Sequence, residues 1–152
     1  RPYLQGARIS AWELCRKGIA VTVIADAAAA TLMRAGQIKR VICGAEAIAG
    51  NGDVIGCIGT YSLALAASAH GIPVHIAAAT AVLSAQNPSE LLDANAERPV
   101  YELAMINGRE IMPEGAHARN PVADTTPAKF ITGYITEKGV LDAGALKQHI
   151  PA

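Results

Sequence analysis

Residues 7–17 (ARISAWELCRK) read as a helix, and Gly18 supplies a stop at its end. Residues 19–25 (IAVTVIA) are continuous and β-branched, the pattern of a strand buried on both faces. Asp26 is placed to cap a second helix, AAAATLMRA, which ends at Gly36. A short strand at 40–43 (RVIC) runs into the glycine-rich stretch 44–60, GAEAIAGNGDVIGCIGT. A third helix, 60–70 (TYSLALAASAH), stops at Gly71, and a third strand follows at 73–78 (PVHIAA). Strands separated by helices at about 20-residue spacing imply parallel βαβ units. The chain therefore reads as α/β, a single domain over 1–152 with a Rossmann-like parallel sheet flanked by helices. The helix at 7–17 would ordinarily follow a strand. Arg1–Gly6 reads as the tail of that connection, and strands preceding Arg1 are expected to be missing from this chain.

The pattern changes over 84–121. This stretch holds Pro88, Pro99, Pro113 and Pro121, several charges and little periodicity, as functional or disordered loops do. Two short strands around Tyr101–Met112, turning at Asn107-Gly108, form a predicted hairpin. Residues 125–135 (TTPAKFITGYI) read as a final helix, with Thr125 or Thr126 at the N-cap, Pro127 just inside, and Gly139 as a stop. A short tail ends in Pro-Ala.

Composition narrows the function classes. Charged residues make up 17% of 152, below the ~25% of typical soluble domains. Much of the surface is therefore expected to be covered. The 13 basic and 13 acidic side chains cancel, which argues against a nucleic-acid partner. No apolar run approaches the ~20 residues of a membrane helix; the longest, Gly18 to Met33, is broken by Thr22, Asp26 and Thr31. Three cysteines without a C-x-x-C indicate neither a disulfide framework nor a zinc knuckle, and a reducing cytoplasm is the default compartment.

In an open parallel sheet, ligands bind beyond the carboxyl ends of the strands, where residues 44–60 lie. Gly44, Gly50, Gly52, Gly56 and Gly59 allow close backbone approach, and unpaired N–H groups where the stretch opens a helix suit a phosphate. A merely tight loop fits the same pattern, which is neither G-x-G-x-x-G nor a P-loop. Glu46, flanked by Ala45, Ala47 and Ile48, is either a partly desolvated carboxylate prepared for proton transfer or a solvated loop acid or cap. Asp53 holds a sugar hydroxyl or closes an Asx-turn.

RPYLQGARISAWEL at 1–14, GAEAIAGNGDVIGCIGTYSLA at 44–64, HGIPVHIAA at 70–78, IMPEGAHARNPVADTTPAKFIT at 111–132 and ITEKGV at 135–140 resemble the methylthioribose-1-phosphate isomerase family. In order and spacing they look like the carboxy-terminal, Rossmann-like half of those enzymes. Ribose-1,5-bisphosphate isomerase and the regulatory subunits of the translation-initiation exchange factor are members of the wider family. The resemblance implies aldose–ketose isomerisation of a sugar 1-phosphate in methionine salvage, by a cytoplasmic homodimer needing neither metal nor organic cofactor. It places the family's proton-transferring aspartate on Glu46, and its phosphate and sugar contacts on Gln5, Asn51, Gly52, Asp53, Gly56 and Cys57. The family's catalytic cysteine lies on an earlier strand with no counterpart in this chain.

Several positions depart from the family pattern. Glu46 stands for aspartate, Ala47 for arginine, and Gly56 and Cys57 for an asparagine–lysine pair. Cys57 is read as a small replacement for the lysine, or as a thiol activated at a helix N-terminus. These changes leave open an alternative, a non-catalytic sugar-phosphate or nucleotide-binding relative of the exchange-factor subunits. A third reading makes the chain half of a subunit interface. Arg119 reaches a phosphate or pairs with Asp124. Cys15 and Cys43 read as core residues. His70, His75, His117 and His149 read as structural or solvated, without metal-ligand spacing.

Overall fold

The computed structural model describes residues 4–93 and 95–150. The expected connection at Arg1–Tyr3 and the end of the tail lie outside them. The chain opens with one turn of wide helix, Gly6–Ser10, continued by α1 (Ala11–Arg16). Gly18 follows with φ +71, the left-handed conformation that ends helices. A 3-10 turn, Asp26–Ala28, then leads into α2 (Ala29–Arg34). The third helix, α3, spans Thr60–Ala69.

The main sheet is made of β1 (Val41–Cys43), β4 (Val74–Ala77), β8 (Gly133–Thr136) and β9 (Gly139–Leu141), in that order. β1 runs parallel to β4, with Val41 opposite Val74, and β4 parallel to β8, with Ile76 opposite Tyr134. β9 returns antiparallel on β8, with Gly139 at φ +111. The expected stop at Gly139 is thus the turn of a hairpin. A second, antiparallel sheet is made of β2 (Ala47–Ile48), β3 (Val54–Cys57) and β7 (Ala123–Thr126). A mixed α/β fold with parallel sheet elements results.

Two apolar clusters hold these layers together. Ile48, Val54, Ile76, Leu83, Tyr134 and Leu146 join the two sheets. Met33, Val41, Ala64, Ala67 and Val74 seat α2 and α3 on the main sheet. Alanines on α3 let its backbone approach the strands, which is the packing role expected of small residues. Burying each Val or Ile fully is worth about 1.5–3 kcal/mol.

The stretch from 84 to 121 is mostly irregular. Its short helices are α4 (Pro88–Leu91), opened by a capping box between Asn87 and Glu90, and α5 (Tyr101–Ala104). The predicted hairpin is present as β5 (Met105–Ile106) and β6 (Arg109–Glu110). Asn107 (φ 51) and Gly108 (φ 76) both take the positive φ that a two-residue I′ turn demands. The tail folds into α6 (Ala143–Leu146), where the Asp142 side chain accepts from Ala145 N–H at 2.7 Å.

Three sequence expectations are corrected. Residues 19–25 form no ladder with any described strand, and Val23 is 60% exposed. Their β-branched run supplies propensity, but a strand also needs a neighbour for its backbone groups. Asp26 does not cap: Ala25 occupies the N-cap of the 3-10 turn, Ala28 that of α2, and neither end has a side-chain cap bond. The helix expected at 125–135 is instead the end of β7, a 3-10 turn (Ala128–Phe130) and the start of β8. Thr125, Thr126, Thr132 and Ile135 favour strands, and Pro127 divides two of them rather than opening a helix.

Candidate functional site

A cavity of about 640 Å³ lies where residues 5–30 meet the carboxyl ends of β1 and β3 and the start of α3. Gln5, Gly6, Ile24, Asp26 and Ala27 form one wall; Cys43, Cys57, Ile58, Gly59 and Thr60 form the other. A second cavity of about 380 Å³, between α1 and residues 21–26, shares Gln5, Gly6, Ile24 and Asp26 with it.

The β3–α3 junction is built by local bonds. Gly59 takes φ +102, and Thr60 Oγ1 donates to the Cys57 carbonyl at 2.8 Å. Gly56 is fixed by packing: a Cβ there would sit 3.0 Å from Thr60 Oγ1. The N–H groups expected to be unpaired at this helix entrance are partly occupied. Asp124 Oδ2 accepts from Gly59 N–H at 2.7 Å, and Asp124 Oδ1 from Tyr61 N–H at 3.1 Å. The residue therefore acts as an N-terminal anchor for α3 and already supplies negative charge to the positive end of the helix dipole.

Glu46 stands at the rim. Its N–H donates to the Ile55 carbonyl at 2.9 Å, continuing the β2–β3 ladder. Its side chain is exposed and does not line the cavity, which fits the solvated loop acid of the two readings. A single contact links it to the cavity wall, from Cys57 Sγ–H to Glu46 Oε1 at 3.6 Å. The thiol of Cys43, deeper in the wall, is raised above its ordinary pKa by burial and then by the Asp124 charge.

Gln5 and Cys57 line the cavity, while Asn51, Gly52, Asp53 and Gly56 do not. The 51–53 turn serves the scaffold instead. Asn51 Oδ1 accepts from Asp53 N–H at 2.9 Å, and Asp53 Oδ1 accepts from Ala128 N–H at 2.8 Å. Tyr134 O–H donates to the Gly52 carbonyl. The Asx-turn is thus closed by Asn51, not by Asp53. Burial, then the Asp53 charge, pushes the Tyr134 phenol up to about 12.

Other expected roles move. Arg119 pairs with Glu97, whose carboxyl is held below its ordinary pKa first by the Asn120 N–H and then by Arg119. Cys15 is exposed, whereas Cys43 is half-buried. His75 is buried on β4, and no described residue bonds its Nδ1. Sequence reasoning named Asp124 only as a partner for Arg119 and missed its anchoring of α3, along with the cavity positions of Cys43 and Asp26. Asp26 was legible as the residue ending a strand-like run, where sheet ligands gather; Asp124 carried no comparable signal. Among the described residues no group of three or more His, Cys, Asp or Glu is arranged to hold a metal ion. No helix among them is long and apolar enough to cross a membrane.

Comparison with known proteins identifies the family. The initiation factor 2 subunit family matches residues 1–143. The chain belongs to this family. It is 48% identical to the methylthioribose-1-phosphate isomerase of Geobacter sp. (strain M21) across 93% of its own length and 41% of that protein's. The crystal structure of 5-methylthioribose 1-phosphate isomerase from Pyrococcus horikoshii superposes with TM-score 0.88 at 39% identity, covering 98% of this chain and 41% of that one. Translation initiation factor eIF-2B, subunit delta, from A. fulgidus superposes with TM-score 0.89 at 34% identity, covering 97% and 45%. The chain thus spans less than half the length of these relatives.

Proposed function

We propose that this chain forms part of an aldose–ketose isomerase acting on a sugar 1-phosphate of the methylthioribose 1-phosphate type, in methionine salvage. The 48% identity to a methylthioribose-1-phosphate isomerase is the observation that carries this reading. Isomerisation takes one hydrogen from C2 of the sugar and returns one to C1, with no net change in composition. Glu46, at the cavity rim, is the carboxylate that accepts and returns a proton. Gln5 and the Cys57–Thr60 wall bind the phosphate end, and the Asn51–Asp53 turn and Gly56 hold that wall in place.

The sheet in this reading is Rossmann-like and completed by strands from outside the chain. Among the described residues β1 has only β4 as a ladder neighbour, its Ile42 is 59% exposed, and residues 19–25 join no ladder. The added part supplies the family's cysteine. The protein works in the cytoplasm as a homodimer, in keeping with three unpaired thiols and the exposed apolar side chains of Leu4, Ile9, Trp12 and Val100. Light scattering of the full-length protein at several concentrations tests the dimer.

The decisive assay gives full-length protein methylthioribose 1-phosphate and follows the ketose product. Turnover that falls at least about 10²-fold with Glu46→Gln supports the reading. A second reading, a binding or regulatory relative without turnover, is favoured by the exposure of Glu46. Tight sugar-phosphate binding without turnover, with activity appearing only on Glu46→Asp and Cys57→Lys, supports that alternative.

A further inference from the structure

We propose that Cys57 is a positioning residue that tethers the exposed Glu46 carboxylate to the cavity wall. This rests on the reading of Glu46 as the proton-transferring group. The two residues reach one another by register: Ala47 pairs with Ile55 across the β2–β3 ladder, so Glu46 lies one step beyond that pair on one strand and Cys57 two steps beyond it on the other. Cys57 lines the cavity and Glu46 does not, so the 3.6 Å contact between thiol and carboxylate is the bridge from rim to wall. Among the described residues it is the only side-chain hydrogen bond to Glu46, and no ion pair competes for that carboxylate. An exposed glutamate samples several rotamers, most of them facing solvent. A donor in the wall selects those that lie against it. The donor is small and neutral, so it orients the carboxylate without setting a positive charge beside it. Misplacement by about 1 Å is enough to slow a reaction ~10²-fold, which makes such selection matter.

The test uses the full-length protein with methylthioribose 1-phosphate as substrate. Cys57→Ala is expected to lower kcat about 5- to 10-fold with KM changed less than about 2-fold, because the thiol's bond to Glu46 is lost while the main chain of the phosphate-binding wall is kept. Cys57→Ser, which keeps a donor, is expected to recover most of that loss. A 13C label on the Glu46 carboxyl reads the contact without turnover. Its resonance is expected to move in Cys57→Ala and to move back toward the wild-type position in Cys57→Ser. An unmoved resonance overturns the proposal. So do wild-type kcat in Cys57→Ala, equal losses in both variants, or a Glu46→Gln protein that keeps full kcat while Cys57→Ala loses it. A wild-type protein with no turnover removes the proposed reaction and, with it, the catalytic sense of this contact. The labelled resonance then shows separately whether the thiol orients the carboxylate.

Discussion

Residues 19–25 and strand β4 are written in the same alphabet of Val, Ile and Ala, yet they end in opposite environments. Val74 and Ile76 are only 1% and 0% exposed, between β1 on one side and β8 on the other. Ile19, Val23 and Ile24 are exposed, and residues 4–25 contribute nothing to either core cluster. The contrast teaches that apolar, β-branched sequence specifies the readiness to form a strand, whereas an edge to pair with decides whether one forms. The candidate cavity borders the first region through Ile24, and its other wall comes from the ends of β1 and β3 and the start of α3, outside β4.

Substitutions can break this comparison from the buried side. Ile76→Ala in β4 is expected to destabilise the fold by about 2–5 kcal/mol, measured by urea unfolding, because a fully buried side chain leaves a cavity. A loss under about 1 kcal/mol would remove β4 from the core. A smaller effect follows at the cavity edge. Asp124→Ala deprives Gly59 and Tyr61 of their acceptor and is expected to cost about 1–2 kcal/mol in the same assay. An unchanged unfolding midpoint would mean that α3 needs no such anchor.

A third test reads pH. Thr80 donates to Glu137 from both its hydroxyl and its N–H, holding that carboxyl down at about 2 against an ordinary 4.5. A depressed carboxyl contributes stability in full above about pH 4.5 and loses it as the pH falls through about 2. Glu97 acts in the same direction. Glu137→Gln is expected to flatten part of the fall in melting temperature across that window; an unaltered acid limb contradicts it. The smallest effect belongs to the exposed side. Val23→Ala is expected to shift the stability of this chain by less than about 0.5 kcal/mol. The same substitution in the full-length protein is expected to cost more than 1 kcal/mol, as a buried valine does, if added strands cover this segment. Equal small effects in both would leave the segment uncovered.

Local punctuation was the most legible part of the sequence. Gly18, Gly36 and Gly71, the Asn107-Gly108 turn, and the helices and strands now seen as α2, β1, α3 and β4 stand in the structure as read. Long-range pairing was not legible. β3 lies hidden among the glycines because its partner β7 is some 70 residues further along the chain, where Pro127 imitated a helix start, and β2 is a two-residue strand that pairs only with β3. The site shows the same division. Gln5 and Cys57 were found through motif resemblance and do face the cavity, whereas the 51–53 turn carried an equally clear motif and faces the scaffold. A motif marks residues under constraint without saying whether a ligand or the fold imposes it.

The most direct test of the account follows backbone amide shifts of the full-length protein during titration with methylthioribose 1-phosphate. The account predicts saturable shifts at Gln5 and Cys57–Thr60, with the amides of the Asn51–Asp53 turn moving little. Saturable shifts concentrated on the 51–53 turn or on the 101–112 hairpin, with the cavity walls silent, would contradict it.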